Sequence, residues 1–340
     1  MLEYSAIIEQ IKQAIERAAR ILVITHQNPD GDGLGALSAL GQHLKSIGKN
    51  YDLFCVDPVP EQYQFLSLMH EVKNDPAVFG ENFQAVIVVD AGDLHYAGVD
   101  QWLKRSADFT LINIDHHQTN DYFGELNLVL PEKSSASEIV YELLRFWQAP
   151  LDKETATALL NGLIFDTGAF SNSGTTFSTL KTAAHLLNLG ARHREINTNI
   201  LRNKSLGLLK LWGRAFERLE FIPDSDLALT VILSKDFEEC GTAEEAASGL
   251  SNFFNELAGA KIAMVLIENS DGTVKGSLRT THDGVDVSEL AKKWGGGGHS
   301  KAAGFSLKGR MVYNENKWLI IDGQTVTEPA SLVGGALFNH

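Results

Sequence analysis

Residues 21–37 read ILVITHQNPDGDGLGAL. Four apolar residues, mostly β-branched, predict a short buried strand. From Leu34 to Ile47 apolar residues recur at helical spacing. Between the two lie His26, Asp30 and Asp32. Asn28-Pro29-Asp30-Gly31 reads as a turn, because Pro and Gly supply the φ values a turn needs. Asp32 has the chemistry of a helix N-cap. Neither reading accounts for His26 at a strand end, or for two Asp spaced i, i+2 in one short loop.

The same alternation continues along the first half. Asp52–Val56, Ala85–Val89 and Thr110–Ile114 are short apolar runs, and Ser134–Trp147, Lys153–Leu163 and Thr179–Leu189 carry helical patterns. This is the signature of βαβ units, hence an α/β fold with a mainly parallel sheet. Residues from about 192 to 220 look helical. Beyond them, strands are expected at Leu227–Leu233, Ile262–Glu268 and Val274–Arg279, and helices at Thr242–Leu257 and Val287–Trp294, which make a smaller α+β domain. The resulting division is 1–190 for the first domain, 191–220 for a helical connector, 221–310 for the second domain and 311–340 for an extra piece. That last piece contains KWLIIDGQTV, a hairpin pattern with Asp-Gly at its turn, and ends in LVGGALFNH, read as peripheral.

Composition narrows the function. The chain has 340 residues, 44% of them hydrophobic, enough for two cored domains. A net charge of −14 opposes binding of long duplex nucleic acid. The N-terminal stretch is charged and helical in period, and no apolar run reaches the ~18 residues of a membrane span. Cys55 and Cys240 are the only cysteines and suggest neither a disulfide framework nor a thiolate metal site. A cytoplasmic protein without membrane contact is the expectation. Charge is uneven, however. Between Lys261 and Arg310 stand eight Lys or Arg and five Asp or Glu, a local +3 that leaves −17 for the rest.

In open α/β sheets, ligands gather beyond the carboxyl ends of the strands. There this chain places His26, Asp30 and Asp32 after the first strand, Asp90 in VVDAGD, and Asp115, His116 and His117 as DHH; Asp166 follows in IFDTGAF at the end of a helical segment. Each has an ordinary account as a cap or surface residue. Together they are a set of carboxylates and imidazoles that would repel one another without cations. Such ligands suit Mn²⁺ or Mg²⁺, with Co²⁺ or Zn²⁺ as alternatives. Six candidate ligands exceed the needs of one open site and suit two ions ~3.5–4 Å apart bridged by a carboxylate, an arrangement for displacement at phosphorus.

HQNPDGDGLGA, VVDAGD, DHH, DTGAF and GGGGHSKAAGF occur in the order and spacing of the DHH phosphoesterase family, and the set most resembles its DHH–DHHA1 subgroup of nanoRNase and pAp-phosphatase type. The resemblance spans roughly residues 15 to 308. It implies that His26 and Asp30 bind one ion, that Asp32, His116 and Asp166 bind the other, and that Asp90 bridges them. Two divalent cations, Mn²⁺ first, with Mg²⁺ or Co²⁺ as alternatives, are the implied cofactors. His117 would touch the scissile phosphate or protonate the leaving oxygen, and Asp115 would orient a neighbouring imidazole. Gly31 and Gly33 would let the backbone turn tightly around the ions.

Gly295–His299 alone reads as a hinge. It follows a helix and precedes SKAAGF, read as a helix start, so its N–H groups would suit an anion nest. With the resemblance, Gly296, Gly297, Gly298 and His299 would hold a substrate phosphate, and Arg279 in GSLRTT would reach the same group. The active site would lie in the cleft between the domains. Ala36 stands where many relatives carry Ser, and Ala169 where several carry Arg. The piece from about 309 departs from the subgroup pattern; packing on the second domain or in a homodimer is the expectation for it.

The implied activity is two-metal hydrolysis of short single-stranded RNA or small phosphorylated nucleotides: nanoRNA, pAp, and linear or cyclic dinucleotides. Three alternatives compete. A single-strand exonuclease would carry an OB-type domain and a more basic channel. A related inorganic pyrophosphatase would lack GGGGH. A non-catalytic nucleotide-binding relative would have lost metal ligands.

Overall fold

The computed structural model describes residues 4–103, 109–172, 174–201, 205–244, 249–254, 257, 259–315 and 317–329. The chain divides into two compact units, Met1–Asn203 and Lys204–His340.

In the first unit, β1 (Arg20–Ile24), β2 (Asn50–Phe54), β3 (Val72–Lys73), β4 (Ala85–Val89), β5 (Thr110–Asp115) and β6 (Leu126–Val129) form one sheet in the order β3-β2-β1-β4-β5-β6. Every pairing in it is parallel. Ile21 and Val23 enter the core on one face, while Leu22 and Ile24 enter a second core on the other. Burial on both faces is why the run is continuously apolar rather than alternating. The first face is covered by α1 (Ser5–Arg17), α2 (Gly31–Ser46), α3 (Ala136–Phe146), α4 (Lys153–Asp166) and α5 (Phe177–Asn188), which bring in Ile11, Leu37, Leu143, Leu159 and Leu186. Irregular chain covers the second face with Val78, Phe83, Ala97 and Val99. A short α6 (His193–Ile196) and one further helical turn over Asn197–Leu201 follow.

The order reverses between β1 and β4, which makes their carboxyl ends the topological switch point where a parallel sheet opens a crevice.

The second unit opens with α7 (Leu206–Glu217). Its sheet runs β11 (Gly297–His299), β12 (Ala302–Lys308), β10 (Thr273–Arg279), β9 (Ile262–Glu268), β8 (Leu227–Ile232), β7 (Glu220–Ile222). Only β8–β9 is parallel. The helices α8 (Ser234–Cys240), α9 (Leu250–Phe253) and α10 (Val287–Lys292) belong to it. The hairpin around Asp322-Gly323 is present as β14 (Lys317–Asp322) and β15 (Thr325–Thr327), with β13 (Arg310–Asn314) on its other side.

One local expectation changes and two fall wholly or partly outside the described residues. SKAAGF does not start a helix: its last four residues open β12, held by pairing with β10 and β11. The helix expected over Thr242–Leu257 is described only as α9; residues 245–248, 255 and 256 lie outside the described residues. So does the tail LVGGALFNH. Among the described residues no helix is long and apolar enough to cross a membrane.

Candidate metal centre

His26 lies two residues beyond β1, Asp90 follows β4 and His116 follows β5, so three neighbouring strands deliver these side chains to one edge. Asp90 takes a left-handed φ of +57° while its N–H stays bonded to the Ile114 carbonyl of β5 at 3.0 Å. A non-glycine residue in that region costs about 1–3 kcal/mol and is retained where the surroundings impose it. Asp30 is the N-cap of α2: its Oδ1 accepts the N–H groups of Asp32 and Gly33. The cap is therefore Asp30 and not Asp32, and Asp32 sits in the first helical turn. Asp166 is the last residue of α4.

Two triads converge. His26, Asp30 and Asp90 offer donor atoms within 4.8 Å of one another, and so do Asp32, His116 and Asp166. His26 Nε2 lies 3.6 Å from Asp30 Oδ1 and 3.6 Å from Asp90 Oδ2. His116 Nε2 lies 3.5 Å from Asp90 Oδ1 and 3.1 Å from Asp166 Oδ2. Asp90 thus turns one oxygen to each triad. Separations near 3.6 Å are too long for hydrogen bonds. They match donors sharing a cation, because bonds of about 2.0–2.2 Å set neighbouring donors roughly 3–3.5 Å apart. His26 Nδ1 donates to the Gln27 carbonyl at 2.7 Å, which fixes the ring with Nε2 toward the carboxylates.

Electrostatics tell the same story. Burial would lower the His26 and His116 imidazoles, but their facing carboxylates prevail and push each up to about 12. Burial would raise Asp90; the facing imidazoles outweigh it and hold its carboxyl below the usual range. Burial and the neighbouring Asp90 charge push Asp166 up to about 6, and raise Asp32 well above the carboxylate range. The cluster therefore demands positive charge. Asp90 is 2% exposed, and its Oδ1 has no hydrogen-bond partner. An orphaned buried carboxylate oxygen among O and N donors fits a divalent cation.

Asp32 is fixed from far away in sequence. Its Oδ2 accepts the N–H of Ala136 at 2.6 Å and its Oδ1 that of Ser137 at 2.9 Å, so its charge rests on the N-terminus of α3. That terminus is itself locked. Ser135 caps it, and the fully buried Glu138 accepts from the N–H and hydroxyl of Ser134 and from Thr179. Lys133 pairs with Glu138 and Glu142.

The glycines serve close approach rather than turning. Gly31 and Gly33 lie inside α2, and the left-handed residue of the loop is Asn28. A Cβ on Gly33 would stand 2.2 Å from Thr25 Oγ1 and 3.2 Å from His26 Nε2. Gly162 of α4 gave no sequence signal, yet a Cβ there would meet Ser137 Oγ at 2.0 Å and Asp32 Oδ1 at 2.5 Å. Glu138 was readable in principle, as the last residue of the capping pattern Ser-x-x-Glu at 135–138.

His117 stands beside the triads. Its Nδ1 donates to Asp115 Oδ1 at 2.7 Å, and Asp115 is wholly buried. Asp115 Oδ2 accepts from Asn120 at 2.6 Å, and Asn120 accepts from the buried Asn113. This chain fixes the imidazole with Nε2 as its free nitrogen.

In the second unit, Ala302 of β12 is opposite Arg279 on one side and His299 on the other. Directly opposed residues share a sheet face, so Arg279 and His299 flank a methyl group, their strands about 10 Å apart. The start of the glycine run is a helix C-cap. Gly295 has φ +73° and donates to Lys292, and the Gly296 N–H donates to the Ala291 carbonyl at 2.9 Å. The Gly296 N–H is thereby taken out of the expected nest. Gly297, Gly298 and His299 form the edge strand β11.

Residues 20–163 match the model of the DHH family, N-terminal domain, and residues 229–318 that of the DHHA1 domain. The chain is 30% identical over 307 residues to the bifunctional oligoribonuclease and PAP phosphatase NrnA of Thermus thermophilus, covering 90% of this chain and 89% of that one. It is 28% identical over 293 residues to the Bacillus subtilis protein of the same name, with 84% and 89% covered. Among solved structures, an exopolyphosphatase-related protein from Bacteroides fragilis shares the fold with a TM-score of 0.84 at 22% identity, over 90% of this chain and 92% of that one. With both domain models matched in order and a relative aligned along nearly its whole length, this chain belongs to the DHH family of phosphoesterases and carries a DHHA1 domain.

Proposed function

We propose that the protein hydrolyses short oligoribonucleotides and small nucleotides such as pAp with two divalent cations, Mn²⁺ first among them. The observation that carries the proposal is Asp90, one carboxylate oxygen facing each triad and one of them buried without a partner. His26 and Asp30 would hold one cation, Asp32, His116 and Asp166 the other, with Asp90 between. Bound there, the cations supply Lewis acidity, both for activating a water nucleophile and for the charge that grows on the phosphoryl oxygens. DHH phosphoesterases use divalent metals, and the relatives' names supply the substrate class.

The chain's own residues do the rest. His26 and Asp32 are pre-aimed, one by the Gln27 carbonyl and the other by the N-terminus of α3, so little reorganisation accompanies binding. His117, steadied through Nδ1 by Asp115, presents Nε2 to donate a proton to the leaving oxygen. Arg279 and His299 grip a substrate phosphate away from the reacting one, Arg279 by its planar fork. The cytoplasm is the compartment that this reading assigns.

Chelation tests the metals. Activity on pApA and pAp is expected to vanish in a chelated preparation and to return with Mn²⁺; full turnover by metal-free protein would end the proposal. The second unit is tested separately. Arg279→Ala and His299→Ala should each lose a charge-assisted contact, roughly 1.5–3 kcal/mol, about ten- to a hundredfold in kcat/KM on pApA. Bound metal, assayed alongside, should stay at the wild-type level. If metal content collapses, or if bis-nitrophenyl phosphate loses as much rate as pApA, the row is not a substrate grip.

A further inference from the structure

Tyr96 is an aromatic residue that the proposed chemistry leaves unused. It is 44% exposed, although it stands against the metal centre. Its ring stacks on His26 with centroids 5.0 Å apart and planes 18° apart, and it meets His117 edge-on at 6.5 Å. Its backbone is held on both sides: the N–H donates to Asp93 Oδ1 at 2.6 Å, and the carbonyl accepts from the Gln27 N–H at 3.3 Å. One ring face is thus covered by a metal-centre imidazole while 44% of the residue stays exposed, on a backbone tied at both its N–H and its carbonyl. A large ring kept wet beside a buried polar centre is a platform for a planar group.

From this placement we infer that Tyr96 is the stacking platform for the base of the leaving nucleotide and sets the preference for nucleotides over other phosphate esters. The inference rests on the phosphoesterase reading above. The neighbour on one side is His117, the proton donor to the leaving oxygen, so the group nearest Tyr96 is the one that departs. Base–aromatic stacking tolerates any base, because every base has a π-face. A platform of this kind recognises that a base is present rather than which base it is.

The test uses Mn²⁺-loaded full-length protein and two substrates that differ only in the base: pAp and its abasic ribose bisphosphate counterpart. Both carry the same phosphates, so contacts from Arg279 and His299 cancel in the ratio of their kcat/KM values. Wild type should favour pAp by about tenfold or more, Tyr96→Ala should bring the ratio close to one, and Tyr96→Phe should keep it. Binding of AMP at equilibrium, read without turnover, should weaken by a similar factor in Tyr96→Ala alone. An unchanged ratio in Tyr96→Ala would overturn the inference. So would a parallel loss on both substrates with AMP binding intact, which would make Tyr96 a support for His26. Failure of wild type to hydrolyse either compound or pApA would instead remove the functional reading beneath it.

Discussion

Asp90→Ala is expected to lower turnover by at least about a thousandfold at saturating Mn²⁺, while the chain still folds. Asp90 is the residue whose oxygens face both triads, at 3.6 Å from His26 Nε2 and 3.5 Å from His116 Nε2. If Asp90 is the shared ligand proposed above, its loss removes several kcal/mol of charge stabilisation, and each 1.36 kcal/mol is tenfold in rate. Folding is affected by opposing terms. The variant loses attraction to two imidazoles and sheds repulsion against Asp32 and Asp166, whose carboxyls the Asp90 charge helps to raise. Melting in chelator should therefore stay near wild type. Rates close to wild type would show Asp90 to be a structural carboxylate and not a metal ligand.

Gly162→Ala should be strongly damaging although the position carries no reactive group. The added methyl would stand 2.0 Å from Ser137 Oγ and 2.5 Å from Asp32 Oδ1. Overpacking of this kind destabilises by about 1–3 kcal/mol, so the melting temperature falls. The displaced groups are those that aim Asp32, and a misplacement near 1 Å costs about a hundredfold in rate. Thermal melting and kcat at saturating Mn²⁺ measure the two effects. Wild-type kcat in a folded Gly162→Ala protein would mean that the contact between Asp32 and the start of α3 does not matter to the chemistry.

The strand-and-helix alternation of the first unit was legible because burial on both sheet faces forces unbroken apolar runs such as Ile21–Ile24, and Ala85–Val89 was readable to the residue. The candidate ligands were legible for a related reason. In a parallel sheet the residues just beyond the carboxyl ends of the strands must gather at one edge, so His26, Asp90 and His116 could be grouped before their distances were known. The second unit was harder to read. Strand β12 opens on the small residues Ala302, Ala303 and Gly304, and SKAAGF has no period that separates strand from helix; only pairing with β10 and β11 decides it.

Sequence alone determined the residue types at the centre, their order along the chain and the edge where they meet, since each depends on neighbours within a few positions. Only the tertiary structure decided how they are aimed. Asp32 is gripped by N–H groups 104 and 105 residues away. Gly162 is a glycine because a carboxylate from another helix passes beside it. Tyr96 lies flat on His26, and Arg279 shares a row with His299 through Ala302. Helix contacts and strand register join segments distant in the chain, and no local pattern of residues encodes which distant segment will arrive.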